Sequence, residues 1–457
     1  MHEPDIDRLV DPRSGLVRRL IRYTHPPELP AALVSFAADV ADTRRFAPWQ
    51  ADRVALGAAF SHEEQARRSA IGEAVERYCG NAVPSELRRA SYNQLARSGV
   101  PALDPADLVL YSERQYQQRG FPFVRFSRDL PVRWVEGQDV ESREPVLLPA
   151  SIVYVNFYAG PYADEPPTNF VMYSGVACGP SRAEAERAAL EELIERDATM
   201  IWWMSGCEAP GIDLASAPAV RAALVARVSG GIHYHLMHIR TLFGVPVVGA
   251  LIEDTALQIM ALGVACRPDP QAAALKALVE AVHLRIFAQG LLDPNGHVWQ
   301  GISAGVLDSR SYKPYRADRG YQDAFRSDFR DVIDLGSQAQ IYLDPRMHLY
   351  LARITSPASS VQLADIPSVE AGDPRALYLA RLRERGLRAY SVDLTTPDIR
   401  ACGLRVVRVV VPGLYPNAPA AFPFLGGRRL YDEPFELGWL PAPLREDQLV
   451  RVPLPHT

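Results

Sequence analysis

A chain of 457 residues, 48% hydrophobic and 23% charged, has the balance of a globular protein with a large core, which excludes a disordered or fibrous one. With 54 acidic against 49 basic residues the formal charge is −5, so no global field recruits nucleic acid or anionic lipid and any phosphate site must be local. The start, MHEPDIDRLVDPRSG, lacks the basic end and apolar stretch of a signal peptide, and no apolar run is long enough to span a bilayer, so no membrane partner is expected and a cytoplasmic address follows.

In chain order, three Gly-Ala segments each lead into a helix start: GAAF at Gly57, GVACG at Gly175 and GVACR at Gly263. Ser61-His-Glu-Glu64 reads as a capping box opening a first helix over 61–79, whose body is ARRSAIGEAVER from Ala66. Tyr154 to Thr168, with several prolines and an acidic tip, reads as a long loop of the kind that often carries function. A second capping box, Ser181-Arg-Ala-Glu184, opens a helix over 181–203 with the body AERAALEELIER from Ala185, and Trp202 and Trp203 at its end read as core.

Tyr234 to Asp254 reads as strands with turns. His233 and His235 share a strand face there, but with His238 they lack a Cys or acid at zinc-ligand spacing. Asp269 before Pro270 caps a third helix over 269–287, with the body AALKALVEAVHL from Ala273, and Gly403 to Leu414 again reads as strand. Strands interleaved with a few long helices predict an α+β fold of mixed sheets packed with helices. No clean linker divides the chain, which favours one domain of related subdomains. The five cysteines, Cys79, Cys178, Cys207, Cys266 and Cys402, are scattered without a CxxC pair and are expected as reduced, mostly core thiols.

The three helix bodies match one another. Each carries Ala, Ala four residues on and Glu three further, followed three residues later by a second metal-competent group: Glu73/Glu76, Glu192/Glu195 and Glu280/His283. Residues three apart share a helix face. Mg²⁺ takes hard oxygen ligands, a few carboxylates completed by phosphates and water, so glutamates from separate helices could suspend such ions beneath a nucleotide. The small alanines are expected to let the helices approach one another or a ligand. The bland alternative for any one helix, a solvated face of Glu with Arg77 or Arg196, is outweighed by the threefold recurrence. Neither a GxxxxGK[ST] loop nor a GxGxxG after a strand is present, so the nucleotide needs another cradle.

SAIGEAVERY from Ser69 resembles the first signature of the YcaO family, SRAEAERAALEELIERDATMIWW from Ser181 the second, and DPQAAALKALVEAVHLR from Asp269 the third. LVDPRSGLVRRL at Leu9 and VVVPGLYP with FLGGRRLY near the end are similar to further family segments. The resemblance implies a YcaO-like domain over 8–457, with an ATP and Mg²⁺ site between acidic helices. Carried over by position, it makes Glu73, Glu76, Glu192, Glu195 and Glu280 metal ligands, and Ser69, Arg77, Ser181, Glu184, Arg196, Lys276 and His283 nucleotide-binding residues, with Glu184 both cap and ligand. Lys276 stands where the family usually has Arg. Ser181 replaces a common Asn, Arg187 and His283 each a common Gln, and the lysine of a GKG turn is absent at Gly57-Ala-Ala-Phe60.

The resemblance further implies cyclodehydration, in which Cys, Ser or Thr of a ribosomally made precursor peptide closes an azoline after its backbone amide is phosphorylated. Azoline-forming relatives often end in a PxPxP run near the active site; VPLPHT shortens it, with Pro453, Pro455 and the Thr457 carboxylate as catalytic candidates, against the alternative of a disordered tail. The surroundings look most like relatives from thiazole and thiopeptide biosynthesis. Implied partners are the peptide, a separate leader-binding protein, since no fused leader-binding domain precedes Leu9, and a flavin-dependent azoline dehydrogenase; a homodimer is compatible and nucleic acid is not expected. Thioamide or macroamidine formation, or a non-catalytic docking subunit, are the rival readings.

Overall fold

The computed structural model describes residues 4–159, 162–369 and 372–456. The chain first lays down β1 (Val17–Arg22), β2 (Leu33–Val40) and β3 (Val54–Phe60), then the long helix α1 (Glu63–Gly80). Next come β4 (Arg88–Ala90), β5 (Val132–Asp139), β6 (Pro145–Pro149) and β7 (Val176–Gly179), which leads into the long helix α2 (Arg182–Ser205). Then follow β8 (Gly211–Ile212), β9 (Ile232–His238), β10 (Val247–Asp254), β11 (Ile259–Cys266) and the third long helix, α3 (Pro270–Leu292). The last strands are β12 (Ser360–Val361), β13 (Tyr390–Asp393) and β14 (Arg405–Val410).

These strands form three sheets, in the orders β1-β2-β3, β4-β5-β13-β14-β7 with β6 on β5, and β11-β10-β9-β8-β12. All pairings are antiparallel except β8 with β12. Each Gly-Ala segment therefore lies in an edge strand, β3, β7 or β11, and that strand runs straight into a long helix that packs back on its own sheet. The expected α+β architecture and the three matched helices are both present, and Tyr154 to Thr168 carries no long element among its described residues.

The alanines serve a different contact from the one expected. They hold each helix against its own strand. Ala66, Ala70, Ala74, Ala273, Ala277 and Ala281 have no exposed surface, and a Cβ at Gly57 would stand 2.1 Å from the Ala70 nitrogen, one at Gly263 2.1 Å from the Ala277 oxygen. A side chain cannot fit between strand and helix at that approach, which is why glycine faces alanine there.

The helix starts follow two of the three expected caps. Ser181 Oγ accepts from the Glu184 amide at 3.2 Å, and Asp269 accepts from the Ala272 amide at 2.8 Å ahead of Pro270. Ser61 does not cap: it takes a left-handed φ of 58°, and α1 starts behind His62 with no side-chain cap. The cysteines are free, four of them buried. Trp202 and Trp203 are core, with the Arg353 guanidinium 4.7 and 4.6 Å from their ring centres. No helix among the described residues is long and apolar enough to cross a membrane.

Candidate active site between the three long helices

The paired acids tie the three units into a ring. Within a unit, the first Glu accepts from its own strand: Glu73 Oε2 takes the Leu56 amide and Glu192 Oε2 the Gly175 amide, both at 2.9 Å. The second Glu reaches the next unit's strand. Glu76 Oε1 accepts from the Cys178 amide of β7 at 2.7 Å, and Glu195 Oε2 from the Cys266 amide of β11 at 3.3 Å. Each carboxylate thus satisfies an outward N–H of an edge strand, which would otherwise be an unpaired donor.

The ring closes differently at its third joint, where α3 packs against β3. His283 occupies the position of Glu76 and Glu195, and its buried Nε2 has no hydrogen-bond partner. Burial pushes its pKa down to about 4, so the ring is neutral at ordinary pH. Glu280 pairs with Lys276 instead of with a strand amide. The amide just before Gly263, that of Leu262, is taken by the tail: it donates to the Pro455 carbonyl at 3.1 Å.

Burial, reinforced by like charge, raises Glu73, Glu76 and Glu195. Burial and the neighbouring Glu192 push Glu76 up to about 8, burial pushes Glu195 up to about 7, and Glu73 is raised as well. Burial also opposes ionisation of Glu280, but Lys276 and His283 beside it bring that carboxyl down to about 2. Cations stand among the acids. Arg77 lies 3.5 Å from both Glu73 and Asp52 and 5.6 Å from the Tyr173 ring centre, and Arg196 lies 2.9 Å from Glu195.

The tail is anchored here, against the disordered alternative. The Val452 carbonyl accepts from Trp203 Nε1 at 2.8 Å, the Pro453 carbonyl from the Tyr342 hydroxyl at 2.8 Å, and the His456 carbonyl from Gln338 Nε2 at 2.9 Å. Pro453 and Pro455 are therefore held through their carbonyls, by Tyr342 and Leu262; Thr457 lies outside the described residues. Ser69 is exposed on α1, one turn before Glu73. Ser181 and Glu184 bond each other at 2.8 Å at the start of α2, two turns or about 12 Å of helix from Glu192, so they are the sequence candidates least gathered into the centre. His235 pairs with Glu253 at 3.0 Å, and no three His, Cys, Asp or Glu among the described residues form a ready metal cluster.

Several residues of the site escaped the sequence reading. Asp52, Tyr173, Gln338, Tyr342 and His456 carry no local pattern. Arg408 did carry a signal, a lone charge inside the apolar run of β14. Its guanidinium is fully buried beneath the site, donating to the carbonyls of Val153 at 2.9 Å, of Tyr173 at 3.4 Å, and of Met172 and Ser174.

Three sheets, each delivering an acidic helix to a common centre, define a class of nucleotide enzyme distinct from P-loop and Rossmann proteins. The family model described as YcaO cyclodehydratase, ATP- and Mg²⁺-binding, matches residues 59–415, and the chain belongs to this family. Among solved structures it is similar to a heterocyclase in complex with substrate and cofactor, at a TM-score of 0.70 and 22% identity over 98% of this chain and 56% of that one. It is also similar to YcaO from Methanopyrus kandleri bound with AMPPCP and Mg²⁺, at a TM-score of 0.55 and 21% identity over 87% of this chain and 86% of that one. The E. coli microcin synthetase McbBCD complex aligns at a TM-score of 0.53 and 13% identity over 89% and 90% of the two chains. The chain thus spans little more than half the length of the first of these.

The residues present fit both groups. Glu76 and Glu192 each have one oxygen fixed by a main-chain N–H, which aims the carboxylate and leaves the other oxygen for a hard cation, while the second oxygen of Glu73 stands 3.5 Å from Arg77.

Proposed function

We propose that this enzyme forms azolines from Cys, Ser or Thr in a ribosomally made precursor peptide. The observation that carries the reading is the ring of strand-anchored carboxylates, Glu73, Glu76, Glu192 and Glu195, with Arg77, Arg196 and Lys276 interleaved. In this reading those four acids and Glu280 hold Mg²⁺. Arg77, Arg196 and Lys276 face the phosphates, Ser69 and His283 border the nucleotide, and Ser181 with Glu184 act from the outer end of α2. When bound, ATP supplies the phosphoryl group that turns an amide oxygen into a leaving group, with Mg²⁺ offsetting the charge. The chain's own work is to fix the acids by main-chain bonds before any ligand arrives, so that little reorganisation is needed during transfer. The anchored tail, with its carbonyls of Pro453 and Pro455 committed, forms one wall.

The peptide, a leader-binding partner and an azoline dehydrogenase complete the proposed system; the likeness to the McbBCD complex supports work alongside other proteins. The test is mass spectrometry of the co-encoded peptide after incubation with this protein, its partner, ATP and Mg²⁺. Loss of one water per ring, dependent on ATP, is the expected result. An unchanged mass with rapid ATP turnover, or a gain of sulfur, would replace the azoline reading by another amide chemistry.

A further inference from the structure

The third helix pair differs from the other two in the kind of atom it offers. Glu73/Glu76 and Glu192/Glu195 present oxygen only, whereas Glu280/His283 presents one carboxylate and one imidazole. Glu280 and His283 stand three residues apart on α3 and so share a face, in the Glu-x-x-His spacing by which helix bundles hold iron and manganese. Lys276 donates to Glu280 Oε1, which leaves Oε2 for another partner.

His283 also does not do what its counterparts do. Glu76 and Glu195 spend an oxygen on the amides of Cys178 and Cys266, each three residues after the glycine of the next strand. The corresponding residue of β3 is Phe60, and His283 Nε2 makes no such bond to it: that nitrogen is buried without a partner. A buried polar atom in this state costs stability, which a bound ion or water offsets. Glu280, on the same face, supplies the negative charge that favours a cation over water there. In the tautomer protonated at Nδ1, Nε2 carries the lone pair that a metal needs.

The donor atoms then decide which cation. Mg²⁺ is held by oxygen, whereas an imidazole nitrogen suits the first-row transition ions. The Lys276 ammonium beside the pair repels a second cation, so the negative charge of the phosphates is needed before the ion is held.

We propose, resting on the nucleotide site of the proposed function, that Glu280 Oε2 and His283 Nε2 ligate a divalent transition cation of the Mn²⁺ class at the third joint. The all-oxygen pairs take Mg²⁺, and phosphate oxygens and water complete the coordination at the third. The ion enters with the nucleotide, and the loaded enzyme is a mixed-metal one.

The test uses the full chain, Mn²⁺ and AMPPCP as probes, and electron paramagnetic resonance as the readout. Spin-echo modulation from an imidazole nitrogen coupled to Mn²⁺ is expected in the wild type with AMPPCP. It should be lost in His283→Gln and in His283→Glu, the second of which restores the residue type of the other two joints. The ratio of Mn²⁺ to Mg²⁺ affinity in the presence of AMPPCP, measured by calorimetry, should fall several-fold in both variants. Bound Mn²⁺ without nitrogen modulation in the wild type overturns the inference. So does an unchanged affinity ratio, or modulation that survives both replacements, which would assign the nitrogen to another imidazole such as His25, whose Nε2 meets the Ser35 hydroxyl at 2.9 Å. Failure of the wild-type chain to bind AMPPCP with either cation instead overturns the nucleotide site on which the inference rests.

Discussion

Glu76 of the first long helix accepts the main-chain N–H of Cys178 at 2.7 Å, so a side chain of one unit closes the open edge of the strand that starts the next. Glu195 repeats the relation with Cys266. The acids that face the nucleotide in the proposed function are thus also the joints of the fold.

Gln and Ala separate these two jobs. Glu76→Gln keeps an oxygen for the Cys178 amide and should leave the melting temperature nearly unchanged while lowering ATP turnover by about 100-fold or more. Glu76→Ala should lose as much activity and also about 1–3 kcal/mol of stability, because the N–H at the joint loses its partner. Urea unfolding and an ATP turnover assay on both variants check this; equal stability in the two would remove the joint.

The close approach of strand and helix gives a second prediction. Gly57→Ala and Gly263→Ala each place a methyl group about 2.1 Å from helix backbone, where no side chain can rotate aside. Each should cost at least about 1–3 kcal/mol and lower soluble yield. Gly72→Ala is the control, since nothing lies within 4 Å of the added carbon and alanine suits a helix better.

How much of this was legible follows from where the information sits. The helices were readable because Ala, Ala and Glu recur at fixed spacing within each segment, and Asp269-Pro270 marks a start without help from distant residues. Ser61 misled because its left-handed backbone is set by how β3 ends, which the capping pattern does not encode. The alanine spacing points to an approach of the helices to one another or to a ligand, although the glycine that meets them is in the sequence, because periodicity names a face without naming its neighbour. The path of the tail is a matter of contacts more than a hundred residues apart, Gln338 with His456 and Tyr342 with Pro453, and no local pattern could place them.

A pH prediction rests on His238 at the end of β9. Burial, aided by Arg240, holds its pKa down at about 4, against an ordinary value of 6.5. The folded protein therefore keeps it neutral while the unfolded chain takes up a proton below about 6.5. Its contribution is complete above that value and is lost as pH falls from about 6.5 towards 4, by roughly 2–3 kcal/mol in all. Chemical unfolding at pH 7.5 and 4.5 should show a smaller loss in His238→Leu than in the wild type; an equal loss assigns the acid sensitivity to other groups.

Arg408 should be intolerant even of lysine. Its guanidinium serves carbonyls in two separate segments, Val153 and 172–174, from a fully buried position, and one ammonium cannot reach them all. Arg408→Lys should cost about 2–4 kcal/mol and loosen the segment that ends at Gly175, whose amide fixes Glu192. Hydrogen exchange of peptides covering 170–180 reads the local effect, and protection equal to that of the wild type would refute it.

The tail supplies the last prediction, and the structure raises its expected effect on stability. Five residues at a chain end would ordinarily be removable at little cost. Here Leu454 is buried, and removing Pro453 to Thr457 takes acceptors from the Tyr342 hydroxyl, the Leu262 amide, Gln338 and Arg196 together. Water can reach part of the vacated channel, so the loss should be about 2–4 kcal/mol rather than the sum of four orphaned groups. ATP turnover should fall with it, since Arg196 and Glu195 lose their support. Pro455→Ala separates the ring from the carbonyl: the accepting oxygen remains, while the stiffening of the unfolded chain, about 0.4–1 kcal/mol, and the packing of a buried ring are lost. That variant should stay folded and active. If it failed as completely as the truncation, the proline rings themselves, and not the path of their backbone, would be what the site requires.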